Sequence, residues 1–277
     1  MRKNTEAVAD RLGILPEYRS AFLNMSMNEE EHKYIVPGVG EGLESVTTKI
    51  ARVYNKDFRD PNIKTTVKSY RAGIEKYEPV TCKSGRSFIP VPVEVLDDLD
   101  ETAKGAVVKN LEWYGTRGTD IHTAIETHDI SGEYGAHVAA VDNWLNSHDH
   151  IGELWGHEVM IYHPKAKYAG TIDGLGVGPD GGLIIWDYKS GQKYPDHLIQ
   201  LGGYASALAA LTGKEVSRGY VCYLKDYLRP PQAVYMGRDG IGCRPYEVQG
   251  LGKNGKNVEV WSWILGLDDW KRSKPWE

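Results

Sequence analysis

The sequence predicts an α/β core that follows a mainly helical front half. Three observations lead to this prediction. Before residue 150, apolar residues recur three or four positions apart, as Val46, Ile50 and Val53 do. After residue 150 the apolar runs are short, and the turn sequence GPDGG, residues 178–182, separates two of them. A helical segment and another strand follow, so the back half has the order β–β–β–α–β.

The front half is expected to consist of helices joined by loops. In chain order the sequence predicts one or two short helices over residues 1–34 that break at Pro16, a loop or hairpin over 34–42, helices over 45–57 and 62–77, and a loop with three prolines over 78–95. Ser45 or Thr47 can cap the helix that starts there. The proline-rich loop is the best candidate for a domain boundary or a mobile arm.

The back half is expected to form the core. The predicted elements are helices over residues 118–129 and 136–148, strands over 153–162, 168–177 and 183–189, a helix over 195–211, strands over 217–224 and near Tyr235, and a closing helix over 258–270. The expected division is therefore a mainly helical N-terminal region, residues 1–110, and a core, residues 111–277.

Composition excludes several classes of protein. With 41% hydrophobic and 26% charged residues, the 277-residue chain has enough apolar residues for a sizeable core. No apolar run approaches the length of a membrane span, and the first 18 residues lack a signal-peptide core, so we expect a cytoplasmic protein. The three cysteines are far apart and form no CxxC, which argues against a zinc ribbon or an iron–sulfur cluster and favours free thiols.

The net charge of −5 is unevenly distributed along the chain. Residues 49–86 contain ten Lys or Arg and four Asp or Glu, whereas residues 87–164 contain three and fourteen. The basic segment can hold a polyanion on one face, or it can be a solvated helix face. The charge pattern alone leaves both readings open.

The stretch IIWDYKSG, residues 184–191, places Asp187 and Lys189 on one face of a strand. They form either a structural ion pair or a metal ligand beside a catalytic lysine. If the hairpin folds symmetrically about Asp180, Asp173 lies opposite Asp187, with Cβ atoms about 5 Å apart. Two carboxylates at that separation repel each other unless a cation lies between them, and oxygen ligands suit Mg²⁺ or Mn²⁺.

Two helices supply further candidates. His122 shares a helix face with Glu126 and can add a nitrogen ligand, although a lone histidine is more often a partly buried, hydrogen-bonded residue. Gln200 and Tyr204, four residues apart on the helix after the lysine strand, can present a polar pair to the strand ends.

The ordered series GxxxHxxxE, HEV, GTID, DYK and QxxxY, between Arg117 and Leu208, resembles the PD-(D/E)xK nuclease superfamily, in particular its RecB-like exonuclease branch. Upstream, HKYIVPGVGEGLESVTTKI, residues 32–50, is similar to the opening of phage exonucleases and of the mitochondrial genome maintenance exonuclease. The resemblance implies a restriction-endonuclease-like core, in which helices flank a central mixed β-sheet.

The resemblance also implies roles for individual residues. Asp173 and Asp187 would bind Mg²⁺ or Mn²⁺, with His122 and the main-chain carbonyl of Tyr188 completing the ligand shell. Lys189 would position the attacking water, and Gln200 and Tyr204 would support the site and the DNA backbone. For Glu158 two roles stay open, support of the first ligands or binding of a second metal ion.

The front half, by the same resemblance, would form an arch that threads single strands. Candidate lining residues are Lys49, Arg52, Lys56, Arg59, Lys64, Lys68 and Arg71, with Tyr54 or Tyr70 as stacking platforms. No GxxxxGK[ST] motif occurs, so any motor is another protein.

Together these features predict a Mg²⁺- or Mn²⁺-dependent DNA exonuclease of recombination, repair or phage replication. The expected setting is a bacterial or phage-infected cell. The expected partners are DNA ends or single strands and a single-strand annealing or binding protein. Two alternatives stay open, a structure-specific endonuclease and a non-catalytic DNA-binding recombination partner on a nuclease scaffold.

Overall fold

The structure, a computed structural model, describes residues 4–28, 30–53, 65–66, 68–69, 72–75, 78, 80–81, 87–88, 93–227 and 232–273. The chain divides into two compact units, one formed by residues 1–55 with 120–277 and the other by residues 56–119. This division differs from the expected boundary between residues 110 and 111. The first 55 residues pack with the core because Val8, Leu12 and Phe22 are buried in the same apolar cluster as the central sheet.

The larger unit is built on a six-stranded sheet in the order β10-β11-β9-β8-β7-β6. The strands are β6 (Glu153–His163), β7 (Tyr168–Val177), β8 (Leu183–Lys189), β9 (Arg218–Asp226), β10 (Tyr235–Met236) and β11 (Ile241–Val248). β8 and β9 pair in parallel, whereas the other neighbours pair antiparallel. The predicted α/β class and mixed sheet are therefore confirmed.

Helices cover both faces of this sheet. Successive residues of β8 point to opposite sides and therefore pack against different helices. On one side, Ile185 joins a cluster with helix α6 (Asp196–Thr212) and helix α7 (Lys256–Arg272). On the other side, Trp186 packs with helix α5 (Gly135–Leu145) and with Ile121 and Ile125. These two residues belong to helix α4 (Val93–Glu126), of which residues 120–126 lie in the larger unit.

The N-terminal segment contains two short helices, α1 (Glu6–Leu12) and α2 (Pro16–Leu23), and then a three-stranded sheet. Its strands are β1 (Ser26–Asn28), β2 (Lys33–Val36) and β3 (Gly40–Glu44). β2 and β3 form the hairpin that the sequence predicted. Helix α3 (Val46–Val53) follows, and Ser45 Oγ accepts a hydrogen bond from Thr48 N at 3.0 Å, so the predicted serine cap is confirmed.

One predicted helix differs from the structure in its start, and one strand of the structure was not predicted. Helix α4 begins at Val93, well before the expected start at residue 118, because residues 93–117 contain no proline and are rich in helix formers. Strand β11 was not predicted because it contains Pro245 and Gly242. Pro245 lies opposite Cys222, beyond the two residues of β11 that pair with β10, so its missing N–H breaks no bond in the sheet.

In the smaller unit the structure describes residues 93–119 of α4 and the paired strands β4 (Val80–Thr81) and β5 (Ser87–Phe88). The described residues between 65 and 74 are helical, in agreement with the helix predicted over residues 62–77. Most of the residues expected to line a DNA arch lie outside the described residues. They are Tyr54, Lys56, Arg59, Lys64, Tyr70 and Arg71.

No helix in the described part of the chain is both long and apolar enough to cross a lipid bilayer. Cys222 and Cys243 are buried free thiols, as expected, whereas Cys82 lies outside the described residues.

A buried ion cluster joins α3 to the C-terminal helix α7. Asp268 is fully buried and accepts from Lys49 Nζ at 2.9 Å and from Arg52 Nη1 at 2.5 Å. Lys49 is only 6% exposed, so the prediction that it lines a DNA path is wrong. The guanidinium of Arg52 is likewise engaged by Asp268 and Glu44. Lys68 is exposed, and its role stays a prediction.

We expect Asp268→Asn to lower the free energy of unfolding by about 3–5 kcal/mol, because it leaves the buried Lys49 ammonium without its main counter-charge. Asp269→Asn is the matched control, since the neighbouring aspartate is exposed and its removal should change stability by less than about 0.5 kcal/mol. Urea unfolding of both variants measures the difference. Equal stabilities would show that the cluster contributes nothing.

Candidate active site

The predicted site residues converge where β6, β7 and β8 meet helices α4 and α6. The turn after β7 sets the register, because Gly178 N donates to Gly182 O and Gly181 adopts a left-handed φ of 77°. Val177 pairs with Leu183 and Gly174 pairs with Trp186. Asp173 and Asp187 are the next residues on the two strands, beyond the last pair, and the backbone N–H of Tyr188 donates to Asp173 Oδ2 at 2.7 Å. That the two aspartates lie directly opposite each other stays a prediction.

Glu158 joins the site through an unusual backbone conformation. On β6, His157 pairs with Gly174 and Val159 with Ile172, so Glu158 lies opposite Asp173. Its φ is 51°, in the left-handed region that a glutamate rarely adopts. Its side chain is 9% exposed, and its carboxylate lies 3.8 Å from the Nδ1 atom of His122. Strained residues of this kind cluster at functional sites.

His122, near the end of α4, faces two partners with its two ring nitrogens. Nδ1 lies 3.4 Å from Asp173 Oδ2, and Nε2 lies 3.1 Å from the main-chain carbonyl oxygen of Tyr188. The alternative reading of a partly buried, hydrogen-bonded histidine describes its contacts as well. Both nitrogens donate when the ring is protonated, so this arrangement suits an imidazolium ion between the Asp173 carboxylate and the Tyr188 carbonyl.

Asp187 is held by the lysine and the glutamine that the motifs predicted. Its Oδ2 forms an ion pair with Lys189 Nζ without a well-directed hydrogen bond, and its Oδ1 accepts from Gln200 Nε2 at 3.0 Å. Gln200 Nε2 also donates to the hydroxyl of Tyr204 at 2.7 Å, one turn along α6. The QxxxY spacing thus forms a buried polar chain that orients Asp187.

The charges in this cluster shift one another's pKa values. Burial alone would lower the pKa of His122, but Asp173 and Glu158 outweigh it and raise the value to about 10. Burial raises the pKa of Asp187 to about 6, against the opposing effect of Lys189. The pKa of Asp173 is lowered despite its burial because His122 is positive. Burial would lower the pKa of Lys189, but Asp187 and Asp173 raise it, so the ammonium stays charged at neutral pH.

Three of these residues can hold a metal ion. Ligand atoms of His122, Glu158 and Asp173 all lie within 4.8 Å of one another. Among the described residues Asp187 is not part of this close group, so its role as a ligand beside Asp173 stays a prediction. The Tyr188 carbonyl already accepts from His122, but a carbonyl oxygen has two lone pairs, so its predicted role as a ligand stays a prediction.

The structure adds residues that the motifs did not identify. The Tyr34 hydroxyl lies 2.9 Å from Thr171 Oγ1, so the upstream hairpin is tied to the strand that bears Asp173. His157 Nδ1 lies 3.3 Å from the carbonyl of Asp173 and supports its main chain. The position of His157 beside Glu158 in HEV was the available signal. Glu126, which shares a helix face with His122, lies outside the close group of ligand atoms.

Gly170, the first residue of GTID, is required by a close approach. A Cβ atom there would lie 2.6 Å from Cε1 of Tyr204, which is closer than two carbon atoms can pack. Tyr204 therefore reaches its hydrogen bond with Gln200 only because residue 170 has no side chain. The GxxD and QxxxY motifs are sterically coupled.

No protein-family model matches the chain, and no curated protein matches it significantly. The family resemblance of its motifs therefore stays a prediction, and its chemistry is inferred from the geometry of the site.

We expect the affinity for Mn²⁺ to rise about tenfold per pH unit between pH 6.5 and 8.5. His122 is protonated below its pKa of about 10, and a metal ion bound through Nδ1 must displace that proton. Calorimetric titration across this range measures the slope. His122→Gln should bind more weakly and lose the slope, whereas His128→Gln, which removes an exposed imidazole paired with Asp142, should keep it. An affinity that does not change with pH in the wild-type protein would contradict metal binding at His122.

We expect Gly170→Ala to destabilise the protein by about 1–3 kcal/mol, because the new methyl group must displace the buried Tyr204 ring. Gly191→Ala is the control, since Gly191 is exposed and no atom lies within 4 Å of a Cβ placed there. Urea unfolding distinguishes the two. If both substitutions have the same small effect, the proposed coupling of Gly170 to Tyr204 is wrong.

Proposed function

We propose that the protein is a Mg²⁺- or Mn²⁺-dependent deoxyribonuclease with a restriction-endonuclease-like core. The observation that carries this proposal is the convergence of five motifs from five elements on one buried point. A carboxylate–imidazole group and a charged lysine lie side by side there. A purely structural ion pair of Asp187 and Lys189 would not require the strained Glu158 or the polar chain through Gln200 and Tyr204.

The donor set fits a divalent cation. Carboxylate oxygens suit Mg²⁺ and Mn²⁺, and an imidazole nitrogen is compatible with Mn²⁺. The ion would be held by Asp173, Glu158 and His122. Asp187 lies on β8, the strand next to β7. A bound ion supplies Lewis-acid polarisation of the phosphate and lowers the pKa of a water molecule.

The protein's own groups supply the remaining functions. Because its pKa is raised, Lys189 stays positive and can orient a water molecule and stabilise negative charge on the phosphate oxygens. Asp187 holds the lysine in place, and Gln200 fixes the carboxylate through its other oxygen. Tyr204, whose pKa is raised by burial, stays neutral and supports Gln200.

Within this class we propose an exonuclease of DNA recombination, repair or phage replication. The motif order supports this choice, and so does the packing of the upstream hairpin and SVTT helix against the site. Ser45 forms an isolated parallel β-bridge with Ala169 of β7, the residue before GTID. Val46, the next residue, lies close to Gly203 of α6. The upstream segment and the core motifs, which both resemble exonucleases and are far apart in sequence, are thus in contact.

We expect end-labelled linear DNA to be degraded by the wild-type protein with Mg²⁺ or Mn²⁺ but not with EDTA. Asp187→Asn and Lys189→Met should each reduce the rate at least about a hundredfold, because Lys189 acts on the reacting phosphate and Asp187 holds that lysine in place. Asp226→Asn, which removes an exposed aspartate at the end of β9, is the matched control and should retain full activity.

Circular single- and double-stranded substrates separate the modes of action. Loss of linear DNA alone identifies an exonuclease, and cleavage of circles identifies an endonuclease. If no substrate is cleaved with either metal while DNA binding survives both substitutions, the protein is a binding scaffold and the catalytic proposal is wrong.

A further inference from the structure

A second group of polar side chains lies on the same face of the sheet as Asp187 and Lys189. Lys189 on β8 pairs with Tyr223 on β9, and Tyr223 pairs with Arg244 on β11. Lys225 and Tyr246 point to the same side, because each lies two residues from a member of this row. Neighbouring strands are about 4.8 Å apart, so the row reaches about 10 Å from the candidate active site.

Three cations in this region are held by aromatic rings. Lys193, in the loop after β8, has its Nζ 3.9 Å from the centre of the Tyr246 ring. Arg244 Cζ lies 4.9 Å from the same ring, and Lys225 Nζ lies 5.4 Å from the ring of Tyr223. We call Lys193, Lys225 and Arg244, with these two tyrosines, the cation–tyrosine cluster. Such contacts hold a cation in position without neutralising its charge.

The three cations of this cluster form no direct ion pair with a carboxylate in the described structure. Within the described part of the chain, no Asp or Glu oxygen lies within 4.0 Å of the three cations. Other cations of this unit are paired, for example Arg11 with Glu153, Arg19 with Asp10 and Arg218 with Asp180. In the described residues the three cations of the cluster therefore have no direct carboxylate partner beside the site.

The rings that carry the cations are fixed. Tyr223 is 2% exposed, and its hydroxyl lies 3.0 Å from Nδ1 of the buried His197. Tyr246 packs edge-on against Tyr223, with ring centres 5.6 Å apart. Long side chains held on a rigid platform lose less conformational entropy when they bind a ligand.

We propose that the cation–tyrosine cluster binds the phosphate backbone of the nucleic-acid strand next to the scissile bond. This inference rests on the proposed function for its substrate, and on the three unpaired cations for its chemistry. Because two cations already lie over the Tyr246 ring, the contacts are to phosphates and not to stacked bases. Binding is therefore independent of sequence and sensitive to salt.

The test measures binding apart from cleavage. In an Asp187→Asn background with EDTA, the anisotropy of a labelled oligo-dT of about 20 nucleotides gives the affinity over a range of salt concentrations. Each of Lys193→Gln, Lys225→Gln and Arg244→Gln should reduce the slope of log affinity against log salt by about 0.7, the value for one phosphate contact on a single strand. The triple variant should lose about 2 from the slope.

Two controls define the effect. Lys253→Gln removes an exposed lysine from a loop that lies far from the cluster. Leu251 of this loop contacts Gly219, which is at the other end of β9 from Lys225. This variant should leave the slope unchanged. Lys193→Arg with Arg244→Lys keeps both charges and should keep the slope. If the triple variant does not fold, as judged by circular dichroism, the three single variants decide.

DNA cleavage by the wild-type protein, in which Asp187 is intact, is measured in parallel. This measurement separates the inference from the proposed function. If that protein cleaves DNA but the glutamine variants bind with unchanged affinity and slope, the cluster inference is wrong and the nuclease proposal stands. If binding falls as expected but no DNA is cleaved with either metal, the phosphate-binding role of the cluster stands and the nuclease proposal is wrong. Failure of the Asp187→Asn protein to bind the oligonucleotide overturns the cluster inference.

Discussion

Five ionisable side chains are buried or half-buried together on the central sheet, and the elements around them are arranged to balance their charge. Asp173, Asp187 and Glu158 bring three carboxylates into a small volume, where each would lose much of its hydration. His122 and Lys189 supply two positive charges. The net negative charge that remains is the physical basis of the proposed binding of a further cation.

The secondary elements bring these charges together. The hairpin of β7 and β8 supplies two aspartates, one from each strand just beyond the last residue pair, and Glu158, with its left-handed backbone, adds a third carboxylate from β6. Helix α6 contributes no charge at Gln200 and Tyr204, only an amide and a hydroxyl that orient Asp187. Neutral hydrogen bonds of this kind fix a carboxylate without changing the charge balance.

Much of this arrangement could be predicted from the sequence, because local rules set it. The GPDGG turn fixes the register of β7 and β8, and the i, i+4 spacing fixes Gln200 and Tyr204. The position of Glu158 could not be predicted, because no local rule gives a glutamate a positive φ. Lys49 was misread because its partner Asp268 lies 219 residues away, and charge counts carry no information about such pairs.

The packing of the first 55 residues with the sheet has a consequence for synthesis on the ribosome. The amide of Asn4 bonds to Met160, and Tyr34 bonds to Thr171, so these early residues have their partners far along the chain. At 5–20 residues per second, the strands up to Lys189 emerge about 7–27 s after residue 55. During that interval Val8, Leu12 and Phe22 have no sheet to cover. The nascent segment must therefore stay soluble without its core until these strands have been made.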